Sequence, residues 1–305
     1  MHEGGLEKSA EATVRERAGR VRGAAMEIKS IVEDFQMQAM GGMMAAWELW
    51  ERSLVPKLLS GGGTWFGGEC KEVVKLCDDV HNFYWRVVLK VPESCPKLAL
   101  RCETRMIGMK WRLWELKILL LLRIKQQEET SLSREIYETG KRKGWPGLSS
   151  EVKEICKVIG MADANENYIT KEEVKCAIFN HHYMEIKKEM EEKSKKLKDI
   201  CYEDFTEVQD YFHQKSVEDV RMAFRVRCKM VPDIPANFSQ KYRKKENGMT
   251  CQYCQEGEIF DQSHCLRCPA WKDLREGLDL TNIGDMAKFF RSLLTERERL
   301  ENLHV

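Results

Sequence analysis

The sequence is short of the features that mark secreted or membrane proteins. No apolar run follows its charged N-terminus, so no secretory signal is visible. Apolar stretches such as Ile118 to Leu122 fall far below the roughly 20 residues that a membrane span needs. Cysteine, at 12 in 305 residues, is well short of a disulfide scaffold. Neither sign of charge is in excess: 50 Lys and Arg face 49 Asp and Glu, for a net charge of +1. Only local clusters can therefore specify a partner. Catalytic signatures are also missing. The chain has no GxSxG, no HExxH and no evident Ser-His-Asp grouping. Ser60-Gly61-Gly62-Gly63 lacks the GK[ST] ending of a phosphate loop and reads as a hinge. These absences predict an intracellular protein, nuclear or cytoplasmic, with no membrane partner and no active site of its own.

What is present is mostly helix. Only 7 prolines interrupt a chain rich in Leu, Met, Glu and Lys, which predicts a mainly α fold. Val14, Ala18, Val21, Ala25, Ile28, Val32, Phe35 and Ala39 step by four and three. That spacing predicts a bundle helix with a buried stripe, or a coiled-coil arm with self-association through residues 14–39. Met43, Trp47, Trp50 and Leu54 continue the spacing until Pro56. Further stripes run over Val73, Leu76, Val80, Tyr84 and Val87, and over Ile107, Trp111, Trp114, Ile118 and Leu121. Trp47, Trp50, Trp111 and Trp114 are expected in the core. A soft boundary falls at GKRKGWPG, residues 140–147.

Past it, Asp163, Asn165 and Asn167 alternate as in a calcium loop, but Tyr168 and Val174 stand where that loop needs Gly and Glu. Thr170 and Glu173 instead predict a capping box opening a long helix. His181 and His182, adjacent on that helix, are expected to point to different sides and not to share an ion. A last helix is expected from about Asn282. The chain divides into a helical bundle at 1–140, a helical connection with a basic strip at 141–245, and a metal-binding motif with the C-terminal helix at 246–305.

Residues 251–268, CQYCQEGEIFDQSHCLRC, hold five thiol or imidazole side chains. Cys251 and Cys254 form one CxxC pair, and a two-residue spacer lets two thiolates grip one ion from a turn. The second half offers His264 with Cys268, or Cys265 with Cys268. The first choice gives three thiolates and one imidazole, and is preferred; Cys265 is the alternative ligand. Zinc is the expected ion, in a structural role, and one short antiparallel ribbon is the only sheet expected. Between the ligand pairs only Ile259 and Phe260 are apolar. The segment therefore promises almost no core of its own.

Just upstream, Arg221, Arg225, Arg227, Lys229, Lys241, Arg243, Lys244 and Lys245 are accompanied by a single acid, Asp233. Mixed Lys and Arg without a fixed register suit phosphate contacts better than base reading. The strip predicts RNA or DNA as partner. Leu76-Cys77-Asp78-Asp79 invites comparison with the aspartate pair of polymerases, but its helical setting argues against a catalytic role.

Taken together, these motifs resemble the segment downstream of the polymerase palm in non-LTR (LINE-like) retrotransposon reverse transcriptases. The run WELWERSLVPKLLSGGGTW, with Pro56, Leu58, Leu59, Gly61 and Trp65, is similar to the thumb exit of that family. Phe83 to Ile124 resembles the stretch that follows, and Ser216 to Cys268 the basic segment leading to a CCHC motif. The resemblance implies Cys251, Cys254, His264 and Cys268 as ligands and a role in handling template. The palm and its catalytic aspartates are absent, which implies a truncated or domesticated remnant, or a fragment of a longer reading frame, that does not polymerise DNA alone. A helical protein-interaction scaffold with a structural zinc site is the alternative.

Overall fold

The computed structural model describes residues 3–33, 41–64, 71–144, 147–161, 169–193, 209–213, 216–234, 250–254 and 256–303. Among these the architecture is mainly helical, and the only β pairing is an isolated antiparallel bridge between Thr250 and Ile259.

The first helix, α1 (Glu3–Glu33), buries the stripe expected of it: Val14, Ala18, Val21, Ala25, Ile28 and Val32 are all in the core. The stripe lies along α4 (Lys71–Leu89), with α2 (Gly42–Leu49) and α3 (Val55–Leu58) beside it. The bundle reading thus holds. Val14 to Val32 of the stripe pack within the chain. Phe35 and Ala39 lie outside the described residues.

Between α2 and α3 the chain makes a π-type turn, Trp50–Leu54. Trp50 is fully buried and stacks on Tyr84 with ring centroids 4.7 Å apart. The Tyr84 hydroxyl donates to the Ala46 carbonyl at 2.6 Å, which fixes α2 on α4. Trp47 is half-buried, with its indole N–H on the Thr104 carbonyl at 2.9 Å. Of the four tryptophans expected in the core, Trp50 and Trp111 are buried, while Trp47 and Trp114 are half-buried.

The glycine turn after α3 brings Gly63 against α6 (Met109–Gln126): a Cβ built there would sit 2.9 Å from the Leu116 carbonyl oxygen. Gly63→Ala is expected to cost about 1–3 kcal/mol through overpacking. Gly23→Ala, in α1 with nothing within 4 Å, is expected to stabilise. That gain is about 0.5–1 kcal/mol, because alanine loses less backbone freedom in a helix. Shifts of opposite sign in the urea midpoint check the pair.

Two cores flank α6. The smaller joins Trp111, Ile118 and Leu121 to Tyr137 of α7 (Leu132–Arg142), Val152 and Ile155 of α8 (Leu148–Val158), and Val174 and Ile178 of α9 (Lys171–Lys193). Lys117, buried on α6, pairs with Glu151 of α8. Helix α9 opens with the expected capping box. Thr170 N–H donates to Glu173 Oε2 at 2.7 Å, and Glu173 N–H to Thr170 Oγ1 at 3.2 Å. His182 points inward and is buried, while His181 is half-buried. Both border Trp111, at 5.1 and 6.2 Å between ring centroids, because one indole is wide enough to meet neighbouring positions on a helix.

His182 is buried, and burial holds its pKa down at about 4. Its folded pKa lies below the unfolded value, so protonation favours the unfolded chain. The contribution is intact above about pH 6.5 and is lost as pH falls toward 4. Between pH 7 and 5 the loss is on the order of 2 kcal/mol. His81, fully buried against Trp50, is shifted in the same direction. Urea unfolding at the two pH values should show His182→Gln losing less stability on acidification than the wild type.

The larger core runs from α1 to the last helix, α13 (Ile283–Leu303). Helix α10 (Val217–Arg227) begins at Ser216, whose hydroxyl accepts from Asp219 N–H at 3.2 Å. Phe224 and Val220 of α10 face Ala287, Phe290 and Leu293 of α13 in this one core. Residues from 1–140, 141–245 and 246–305 all contribute to it.

Candidate metal centre and the basic strip

The Thr250–Ile259 bridge folds residues 251–258 back on themselves. Cys251 N–H donates to the Glu258 carbonyl at 2.8 Å, and Gly257 turns the corner at φ 67°. This limb presents Cys251 and Cys254. The second limb is one turn of helix, α11 (Gln262–Cys265). Asp261 caps it, accepting from His264 N–H at 2.8 Å. Cys268 N–H donates to the His264 carbonyl at 2.7 Å, which keeps Cys268 beside the imidazole. The Arg275 guanidinium, from α12 (Lys272–Arg275), donates to the Cys268 carbonyl at 2.8 Å and to that of Cys265 at 3.3 Å.

The two limbs bring Cys251, Cys254, His264 and Cys268 together, one ligand atom from each lying within 4.8 Å of all the others. Cys251 Sγ is 3.8 Å from Cys268 Sγ, and Cys254 Sγ is 3.4 Å from His264 Nε2. Tetrahedral bonds of about 2.0–2.3 Å place ligand atoms roughly 3.3–3.8 Å apart. The four side chains can therefore hold a metal ion. Cys265 is not among them. It is fully buried in the core behind the site, and burial pushes its thiol up to about 12. The second CxxC thus does not close on the first, and the preferred ligand choice is the one that converges.

The other imidazole nitrogen, Nδ1, lies 3.0 Å from Glu258 Oε2, which also accepts from Arg267 Nη2 at 3.0 Å. The hydrogen bonds to His264 and Arg267 hold this carboxyl below its ordinary range.

The segment has little core of its own and is packed by residues beyond it. Tyr253 packs 5.6 Å from Phe260 and 4.8 Å from the buried Trp271, measured between ring centroids. Arg297 of α13 lies over Phe260 at 5.3 Å and donates to the Tyr253 hydroxyl at 3.2 Å. The Gln262 amide donates to the Ile234 carbonyl at 3.3 Å. The partners come from outside the ligand pairs, so the spacing between cysteines could not reveal them.

The basic strip fares differently. Arg221 is fully buried: its Nε donates to the Val88 carbonyl at 2.9 Å and its Nη2 to Glu33 at 3.1 Å, with Glu218 on Nη1 at 2.5 Å. Arg225 donates to the Lys90 carbonyl at 2.7 Å. Arg227 donates to the buried Glu103 at 2.8 Å, and Tyr211 occupies the other Glu103 oxygen at 2.7 Å. These three arginines tie α10 to the bundle; Arg221 has no exposed surface to offer a phosphate, while Arg225 and Arg227 are half-buried. Lys229 ends the helix in a left-handed conformation at φ 54°. Lys241, Arg243, Lys244 and Lys245 lie outside the described residues, as do Asp163, Asn165 and Asn167.

Asp78 and Asp79 serve different partners. Asp78 pairs with Arg101 at 2.9 Å and accepts from Met109 N–H at 3.1 Å, while Asp79 pairs with Lys97 at 3.0 Å. Both carboxylates are thereby engaged in holding α4 and α6 with the short helix α5 (Lys97–Thr104). No helix among the described residues is long and apolar enough to cross a membrane. No protein-family model matches this chain, and no curated protein or solved structure matches it.

Proposed function

We propose that this chain is a zinc-stabilised helical module that binds RNA or DNA, without an active site of its own. It is the kind of unit that follows the palm in non-LTR reverse transcriptases. The convergence of Cys251, Cys254, His264 and Cys268 carries the reading. Three thiolates and an imidazole are the ligand set of a structural zinc site, and four protein ligands leave no position for a catalytic water. Lys241, Arg243, Lys244 and Lys245 lie within ten residues of the first ligand in sequence, and this density of cations supports phosphate contacts.

The test is fluorescence anisotropy with single-stranded RNA and duplex DNA over a range of salt, on protein whose zinc content is measured first. Phosphate contacts give a log K slope of roughly −0.9 per phosphate on duplex and −0.7 on single strands. Changing Arg243, Lys244 and Lys245 together to Ala should weaken binding to every sequence alike and flatten that slope. Binding and slope that do not change would leave these residues as a solvated surface.

A protein-interaction scaffold is the second reading. It is favoured by Leu132 and Ile136, 70% and 58% exposed, one turn apart on α7. A chain that holds zinc but binds neither nucleic acid at any salt would favour it.

A further inference from the structure

We propose that Glu258 is a positioning residue of the metal centre. It holds His264 as the tautomer protonated on Nδ1, so that Nε2 is left to the ion. The proposal rests on the metal reading above and assigns a role within that site. His264 has two nitrogens in two environments: Nε2 is 3.4 Å from the Cys254 thiol, and Nδ1 is 3.0 Å from the Glu258 carboxylate. A carboxylate only accepts, so Nδ1 must donate to it, and the lone pair is then on Nε2. Such an outer carboxylate fixes the ring and raises its basicity as a ligand.

Glu258 acts on both limbs of the site. Its carbonyl accepts from Cys251 N–H at 2.8 Å, which sets the first limb, and its side chain orients His264 on the second. Arg267, 3.0 Å from the same oxygen, restrains that side chain and offsets its charge next to three thiolates. The backbone bond survives replacement of the side chain, so substitution removes the orienting contact while leaving the bridge.

Outer-shell partners are commonly worth 10–100-fold in metal affinity. Glu258 is half exposed, and water competes for the bond, so the lower end applies. Zinc affinity is to be measured by chelator competition for the full chain, Glu258→Ala and Glu258→Gln. His264 is to be read by nitrogen NMR in the zinc form. Glu258→Ala should bind zinc about tenfold more weakly, and Glu258→Gln, a neutral acceptor of the same length, should lose less. Nδ1 of His264 should carry the proton in the wild type, and that proton should exchange faster in Glu258→Ala. Should the alanine variant fail to fold, Glu258→Gln and the wild-type spectrum decide. Wild type that binds zinc while both variants bind equally well, or zinc found on Nδ1, overturns the role of Glu258 and leaves the metal site standing. Wild type that binds no zinc overturns both.

Discussion

On the zinc reading proposed above, chelation is expected to release residues 250–271 to protease and to loosen α13 from α10. The helices α1, α4 and α6 should keep their protection against hydrogen exchange. The gradient follows from where the site sits. Cys251, Cys268 and Trp271 belong to the same core as Phe224 and Phe290, so losing the ion disturbs the α10–α13 contact directly. Structural zinc contributes on the order of 10–16 kcal/mol where a finger has nothing else to hold it. Here Tyr253, Phe260, Trp271 and Arg297 already pack the segment, so part of the site survives without metal. With free zinc at a thousand times its dissociation constant, the lost stability is about 4 kcal/mol. Cys254→Ser should abolish stoichiometric zinc and reproduce the chelated state. Cys265→Ala should keep one zinc per chain and lose only packing. If Cys265→Ala loses the zinc and Cys254→Ser keeps it, the ligand set is wrong.

Arg221→Ala is expected to destabilise the whole fold by about 3–5 kcal/mol, the range for breaking a buried pair from one side. Its guanidinium has no exposure and satisfies the Val88 carbonyl at the end of α4 together with Glu33 and Glu218. Truncation leaves a cavity, an unmet carbonyl and two carboxylates near each other. Lys90, which also pairs with Glu33 at 3.2 Å, can neutralise only part of that charge. Arg221→Met fills the volume and should recover part of the loss. Chemical denaturation reads both. RNA or DNA affinity per folded molecule should be unchanged, in contrast to the triple change at Arg243, Lys244 and Lys245. An Arg221→Ala protein as stable as wild type would mean that the guanidinium is solvated.

The sequence was most legible where a local pattern and its partner lie close together. The stripe of α1 and the Thr170–Glu173 capping box follow from spacing alone, and spacing narrowed the metal ligands to three cysteines with His264, or four with Cys265. The burial of Arg221 was not legible, because a count of cations does not register burial. Yet Val217, Arg221 and Phe224 step by four and three, so Arg221 lies on the inward stripe of α10. A charge placed on an apolar stripe is the signal of a buried ion pair. Its partner Glu33 is 188 residues away, and no local pattern names it. Trp85 was missed on α4 because that helix is buried on more than one stripe. It lies between α1 and the later helices, and Cys77, His81 and Trp85 are all inside.

The core shared by α1 and α13 also constrains how the chain is made. Helices α1 and α4 can pair as soon as both have left the ribosome. The face that α10 and α13 complete has to wait. Roughly 190 residues separate the end of α4 from the start of α13. At 5–20 residues per second, translation takes on the order of 10–40 s to supply them. Val220, Phe224 and the cysteine limbs are made late in that interval, and from then until α13 is made nothing of it covers them. The nascent chain therefore carries an adhesive apolar surface and open thiols together, late in synthesis.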